Sequence, residues 1–155
     1  MLSTHSLHLK IPWLLAALIC LQACNRHKVY KSTCDAGRDF KRISYTNLID
    51  SMAWYDNHYV EVFGKYKEGT GLSALYNDSL FTDHSENKTI WVEFDQDCPL
   101  YLTGTNVGFF DYSSSGQLTP VNNKSVLLRG KINFHYKGHL GLYKGTIERV
   151  SYVRL

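Results

Sequence analysis

Proline is scarce in this chain: three residues among 155, against 11 glycines. That excludes a collagen-like or proline-rich extended polymer. A surplus of one charge is missing too. Lys+Arg 17 against Asp+Glu 14 leaves +3, too even a balance for a nucleic-acid footprint, so no nucleic-acid partner is expected. No apolar run reaches the about 20 residues that a membrane-crossing helix needs. There is no Cys-x-x-Cys and no Cys/His cluster to hold zinc, and no G-x-S-x-G nucleophile elbow. His135 and His139 stand four apart without a clear third ligand. No metal and no cofactor are expected. What is present is 44% hydrophobic and 14% aromatic residues. That suffices for one packed domain and is too much for a disordered tail.

The first two dozen residues read as an address. Ile11 to Asn25 carries no charge, and Ile11 to Leu21 is apolar apart from one proline. Its length fits the roughly 7–15 residues of a signal-peptide core. Lys10, the amino terminus and two histidines precede it, with no acidic residue. Ordinary signal cleavage wants small residues at −1 and −3, and cutting after Ala23 would leave bulky Leu21 at −3.

The same residues, Leu21-Gln22-Ala23-Cys24, resemble the lipobox of bacterial lipoproteins. The resemblance implies a diacylglyceryl thioether on Cys24, cleavage before it, and an acylated amino terminus. Cys20 does not fit the role, because Ile19 would stand at −1. Each buried CH₂ contributes about 0.8 kcal/mol, so two or three chains hold a protein on a membrane stably. Asn25 follows Cys24 where the inner-membrane retention signal has aspartate, which points to the outer membrane, periplasmic side. Cys20 leaves with the signal and Cys24 carries lipid, so Cys34 and Cys98 remain. In an oxidising compartment two thiols commonly pair, and a Cys34–Cys98 disulfide is expected.

The expected organisation is a signal peptide over 1–23, a lipidated and basic tether over 24–43, and a folded domain over 44–155. The tether carries six Lys/Arg against Asp35 and Asp39, a net +4 that reads as a solvated linker or, alternatively, as a match to anionic head groups. Tyr45, Leu48, Ile49 and Met52 recur at helical spacing within Ser44–Tyr55, and Ser44 or Thr46 can cap that helix. Five strands follow: Tyr59–Phe63 with Gly64 behind it, Leu72–Tyr76, Thr89–Phe94, Ser125–Tyr136 interrupted by Gly130, and Thr146–Val153. Ile90, Val92 and Phe94 should face the core, and Trp91 and Glu93 the outside. Glycine within a strand marks a bulge or tight bend. Gly69-x-Gly71-x-x-Ala74 is read as a turn, since a strand rather than a helix follows it. The long stretch Leu100–Asn123 should carry a hairpin or a helical turn near Val107–Phe110.

Five strands in this order, the first and fourth bent at glycine, resemble the OB-fold. The Tyr55-Asp56 turn and the Gly138-His139-Leu140-Gly141 turn resemble small envelope OB-like domains. The fold class expected is therefore mainly β: a small five-stranded OB-like barrel preceded by one helix. OB-like domains bind ligands over strands two and three, between the loops joining strands one–two and four–five. That implies a ligand groove involving Tyr76, Trp91, Arg129, His139 and Tyr143, with packing under the helix or long loop as the competing role for the aromatics. The function expected is a lipid-anchored, non-enzymatic binding module for a protein or glycan partner. The alternatives are a hydrolase or lyase using His139 with Glu93 or Asp95, and an inhibitor or immunity-type lipoprotein.

Overall fold

The structure is a computed structural model that describes residues 27–77, 86–111 and 121–155. The expected signal peptide, with its lipobox-like residues and the expected lipidation site Cys24, lies outside the described residues. In chain order the elements are β1 (Val29–Lys31), β2 (Lys41–Ile43), α1 (Tyr45–Asp50) with a 3-10 turn over Met52–Tyr55, β3 (Tyr59–Gly69), β4 (Leu72–Tyr76), β5 (Ile90–Val92), β6 (Tyr101–Leu102), β7 (Lys124–Asn133) and β8 (Thr146–Arg154).

Five of the strands close on themselves. β3 pairs β4, β4 pairs β5, β5 pairs β8, β8 pairs β7, and β7 returns to β3. Only the β5–β8 pairing is parallel. This is the expected OB-like barrel, closed and preceded, among the described residues, by a single short helix. Alternation sets the faces. Val60, Val62, Leu75, Ile90, Val92, Val126, Leu128, Ile132 and Ile147 fill the interior, each contributing about 1.5–3 kcal/mol by leaving water. Trp91 and Glu93 lie on the outer face as expected, both half-buried. Closure removes the long free edges that a five-stranded sheet would otherwise expose.

The two strand glycines act differently. At Gly64 the register is continuous, and β3 begins pairing with β4 on its other side at Lys65. An added Cβ there would sit 2.7 Å from Leu75 Cγ, so glycine leaves the barrel interior to Leu75. At Gly130 the register jumps from Arg129↔Tyr152 to Lys131↔Glu148. One residue of β7 thus faces three of β8, a bulge. Arg149 inside it has φ 50°, a region that non-glycine residues seldom occupy. The fourth strand stops at Asn133 rather than Tyr136. Asn133 Oδ1 accepts from the N–H groups of His135 and Tyr136, 3.1 and 3.0 Å, and this local turn competes with the ladder.

Helix α1 buries Tyr45, Leu48 and Ile49, and Met52 of the turn is buried with them, as the spacing predicts. Ser44 caps it, its Oγ accepting from Asn47 N at 3.3 Å. The helix closes one end of the barrel. Tyr45 donates its hydroxyl to the Leu75 carbonyl at 2.6 Å, with the Lys88 carbonyl at 3.1 Å. Asp56 then fixes the entry to β3 by accepting from Phe134 N at 2.8 Å. At the opposite end Phe94 contacts Tyr66 and Phe109, and Phe109 contacts Tyr30. Phe109 arrives on a small hairpin in which Leu102 N donates to Val107 O and Phe109 N to Leu100 O, both 2.8 Å.

Residues 27–43, within the span expected as a polar tether, carry two short strands. β1 pairs with β8 and β6, and β2 runs parallel to β3. Cys34 and Cys98 are at disulfide distance, Sγ–Sγ 2.06 Å. The basic composition hid strand-forming positions: Tyr30 and Ile43 are buried, while Lys31, Lys41 and Arg42 point to solvent. The segment is a strap laid over the barrel. Among the described residues no helix is long and apolar enough to cross a membrane.

Candidate functional site

The groove expected over strands two and three is the outer face of β4 and β5. Trp91 stands there opposite Ala74. The β7–β8 connection folds back onto it. The Trp91 and Tyr143 rings lie 5.1 Å apart, and Tyr143 is buried. Gly138 rests on the indole so closely that a Cβ there would lie 2.4 Å from Trp91 Cγ. The indole N–H donates to Glu93 Oε2 at 2.5 Å. His139 is carried to the β3–β4 hairpin, its ring against Gly71. That hairpin is the Gly69-x-Gly71 turn, Gly71 taking φ 69°. Trp91, Tyr143 and His139 are therefore brought together, with the molecule's own loop seated over the strand face.

Tyr76 shares this outward side of β4, but it is buried, with Lys67 Nζ 4.5 Å from its ring centre. Its hydroxyl is 3.5 Å from Asn123 Oδ1. It packs as an anchor. The connection leaves its tip exposed: His139, Leu140 and Leu142, with Leu140 at φ 56° and 77% exposed. Among the described residues the His139 side chain makes no ion pair or hydrogen bond. The carboxylates named as its partners are engaged elsewhere, Glu93 by Trp91 and Asp95 Oδ1 by Asp97 N at 2.9 Å.

Arg129 does not join this group. It lies on the outer face of β7, beneath the strap. Its Nε donates to Glu61 Oε2 at 2.8 Å, and Arg42 Nε is 3.7 Å from Glu61 Oε1. The guanidinium stacks over Tyr152 at 4.5 Å and lies 5.6 Å from the Phe40 ring. Glu61 and Arg129 sit directly opposite in the β3–β7 register, so the pairing follows from the two strands' outward positions.

A second ion pair lies beside the disulfide. Arg149 Nη2 donates to Asp35 Oδ1 at 3.0 Å and Nε to the same oxygen at 3.3 Å. Asp35's side chain is 2% exposed. The hydrogen bond to Asp35 first, and its charge second, hold the Arg149 guanidinium above its usual range. The bulge in β8 aims Arg149 at this carboxylate. Asp35 Oδ2 is a buried side-chain oxygen without a donor. The sulfurs of Cys34 and Cys98 lie near this carboxylate, but a disulfide leaves them no thiolate to offer a metal.

Strap and barrel border an open pocket of ≈ 220 Å³, walled by Lys31, Ser32, Asp35, Arg38, Arg129 and Tyr152 among others. A cleft of ≈ 310 Å³ at the aromatic barrel end is lined by Phe94, Tyr101, Phe109 and Phe110. The sequence reading missed Asp35, Arg149 and the strap pocket. Asp35's place beside a cysteine expected to pair was the one available signal, whereas nothing local marks the Arg149 bulge. No family model, no curated protein and no solved structure matches this chain.

Proposed function

We propose that the chain is a lipid-anchored envelope protein, held by acyl chains on Cys24 at the periplasmic side of the outer membrane, whose OB-like body is a binding module for a protein or glycan partner. The observation that carries this reading is the position of the lipobox relative to the folded body. β1 starts at Val29, five residues after Cys24. Cleavage before Cys24 leaves every described element intact. Five extended residues reach at most ~18 Å, so the anchor would hold the strap side of the barrel close to the bilayer. A Cys34–Cys98 bond suits the same oxidising compartment.

The binding role draws on the loop tip. Gly138, Leu140 and Gly141 all take positive φ, and this backbone displays two leucines and a histidine in solvent. Strain kept at an exposed apolar tip is a recognised mark of a contact site. The anchor is tested by intact mass and fractionation. The native product should begin at Cys24 and carry acyl chains, and Cys24→Ala should leave the membrane fraction. A native product beginning at Met1 without lipid ends the reading. Cross-linking in native membranes then identifies the partner, with Leu140→Asp expected to abolish the adduct.

A further inference from the structure

The pocket between strap and barrel carries charge that the fold does not use. Its inner wall is formed by buried Asp35 and Ser151. Its mouth is formed by exposed Lys31 and Arg38. The other cations around it lie against carboxylates: Arg129 and Arg42 share Glu61, and Arg149 pairs with Asp35. Lys31 and Arg38 have no ion-pair partner among the described residues. Arg38 lies over the Tyr59 ring at 5.4 Å and Lys31 near the Tyr152 ring at 5.9 Å.

We propose that this pocket binds a phosphate ester bearing free hydroxyls. The phosphate sits at the mouth that Lys31 and Arg38 line, because cations without carboxylate partners attract an anion. The hydroxylated end points inward. There the wall offers the polar groups of Ser32 and Ser151 to the hydroxyls. The open cleft of ≈ 220 Å³ gives room for a ligand of on the order of ten heavy atoms. This chemistry is that of a glycerophosphate, either as a lipid head group or as a soluble polyol phosphate. The site is formed by the folded body and does not depend on whether Cys24 is acylated.

The test uses full-length Cys24→Ser protein, so that failure of the anchor cannot affect the result. Glycerol 3-phosphate is titrated by calorimetry into this protein, into the same protein with Lys31→Glu and Arg38→Glu, and into a control with Lys137→Glu, an exposed cation on the opposite loop. Binding should weaken at least about tenfold in the double variant and stay unchanged in the control. Methyl phosphate, which lacks hydroxyls, should bind more weakly than glycerol 3-phosphate. Thermal melts confirm that the variants fold. Equal binding by the double variant, or an equal loss in the control, overturns the site. Vesicles of phosphatidylglycerol in phosphatidylcholine then separate the sources. Capture that glycerol 3-phosphate displaces assigns the head group, and binding of the soluble ester without vesicle capture assigns a soluble ligand. Vesicle capture that neither the competitor nor the double variant reduces shows only diffuse attraction and overturns the pocket.

Discussion

The two outward faces of the barrel are covered in opposite ways. Over β4 and β5 the cover is the chain's own β7–β8 connection, seated by ring packing and close backbone approach: Trp91 on Tyr143, Gly138 on Trp91, His139 on Gly71. Over β7 and β8 the cover is the strap, seated by ion pairs and a disulfide: Arg129 with Glu61, Arg149 with Asp35, Cys34 with Cys98. The first cover is shape-matched and leaves little room beneath it. The second is held at a few polar points and borders an open pocket. Steric fit therefore seals one face, while charge and a covalent link keep the other open to a small polar ligand.

The largest effect should come from the strap. Cys34→Ser with Cys98→Ser opens a loop closed over a sequence separation of 64. The chain-entropy account assigns such a closure about 4 kcal/mol. The expected outcome is a matching loss in unfolding free energy by denaturant titration, with faster hydrogen exchange at β1 than in the barrel strands. Equal exchange in both regions would mean that the strap is not a separable cover. Next comes the opposite face. Gly138→Ala places a carbon 2.4 Å from Trp91 Cγ at φ 64°, which the loop cannot absorb without lifting. A cost of about 2–3 kcal/mol is expected, with red-shifted Trp91 fluorescence. An unshifted emission would show that the connection is not what shields the indole.

Much of the barrel was legible because it rests on periodicity. The alternation around Val60-Glu61-Val62, Ile90-Trp91-Val92 and Val126–Leu128 fixed which residues point inward, and the helix spacing gave its buried face. The strap was not legible. Its strands are three residues each, too short to show a period, and their lysines and arginines match a solvated linker equally well. The candidate groove was half legible. Trp91, Tyr143 and His139 do converge, but whether a loop lies over them depends on glycine contacts far apart in sequence. Arg129 points outward as its strand phase implies, but β7 pairs with β3 and β8, away from the outer face of β4 and β5, and that placement is not readable from the strand itself.

A smaller effect separates both covers from the barrel they share. Tyr45 is buried at the helix-capped end, and burial raises its hydroxyl pKa against the opposing backbone hydrogen bond. Tyr66 is raised as well, by burial first. A raised pKa stabilises the fold below the unfolded value of about 10, and that contribution fades as pH climbs above it. Melting temperature should fall above about pH 10. Tyr45→Phe should cost about 1–2 kcal/mol at neutral pH through the lost hydroxyl contacts with two carbonyls, and should flatten that alkaline fall. Neither effect should alter phosphate-ester binding or Trp91 emission.

The smallest effect has the opposite sign. Leu140 is exposed, yet held at φ 56° between Gly138 and Gly141, a conformation that costs an L-residue of order 1 kcal/mol. Glycine adopts it freely but gives up more entropy on folding. Leu140→Gly should therefore leave stability unchanged or raise it by about 0.5 kcal/mol, measured by denaturant titration. A leucine retained where glycine fits better is then explained by what its side chain touches outside this molecule. Should Leu140→Gly instead lose more than about 1 kcal/mol, the leucine packs onto its own barrel, and the tip is a second seal on the closed face rather than a contact site.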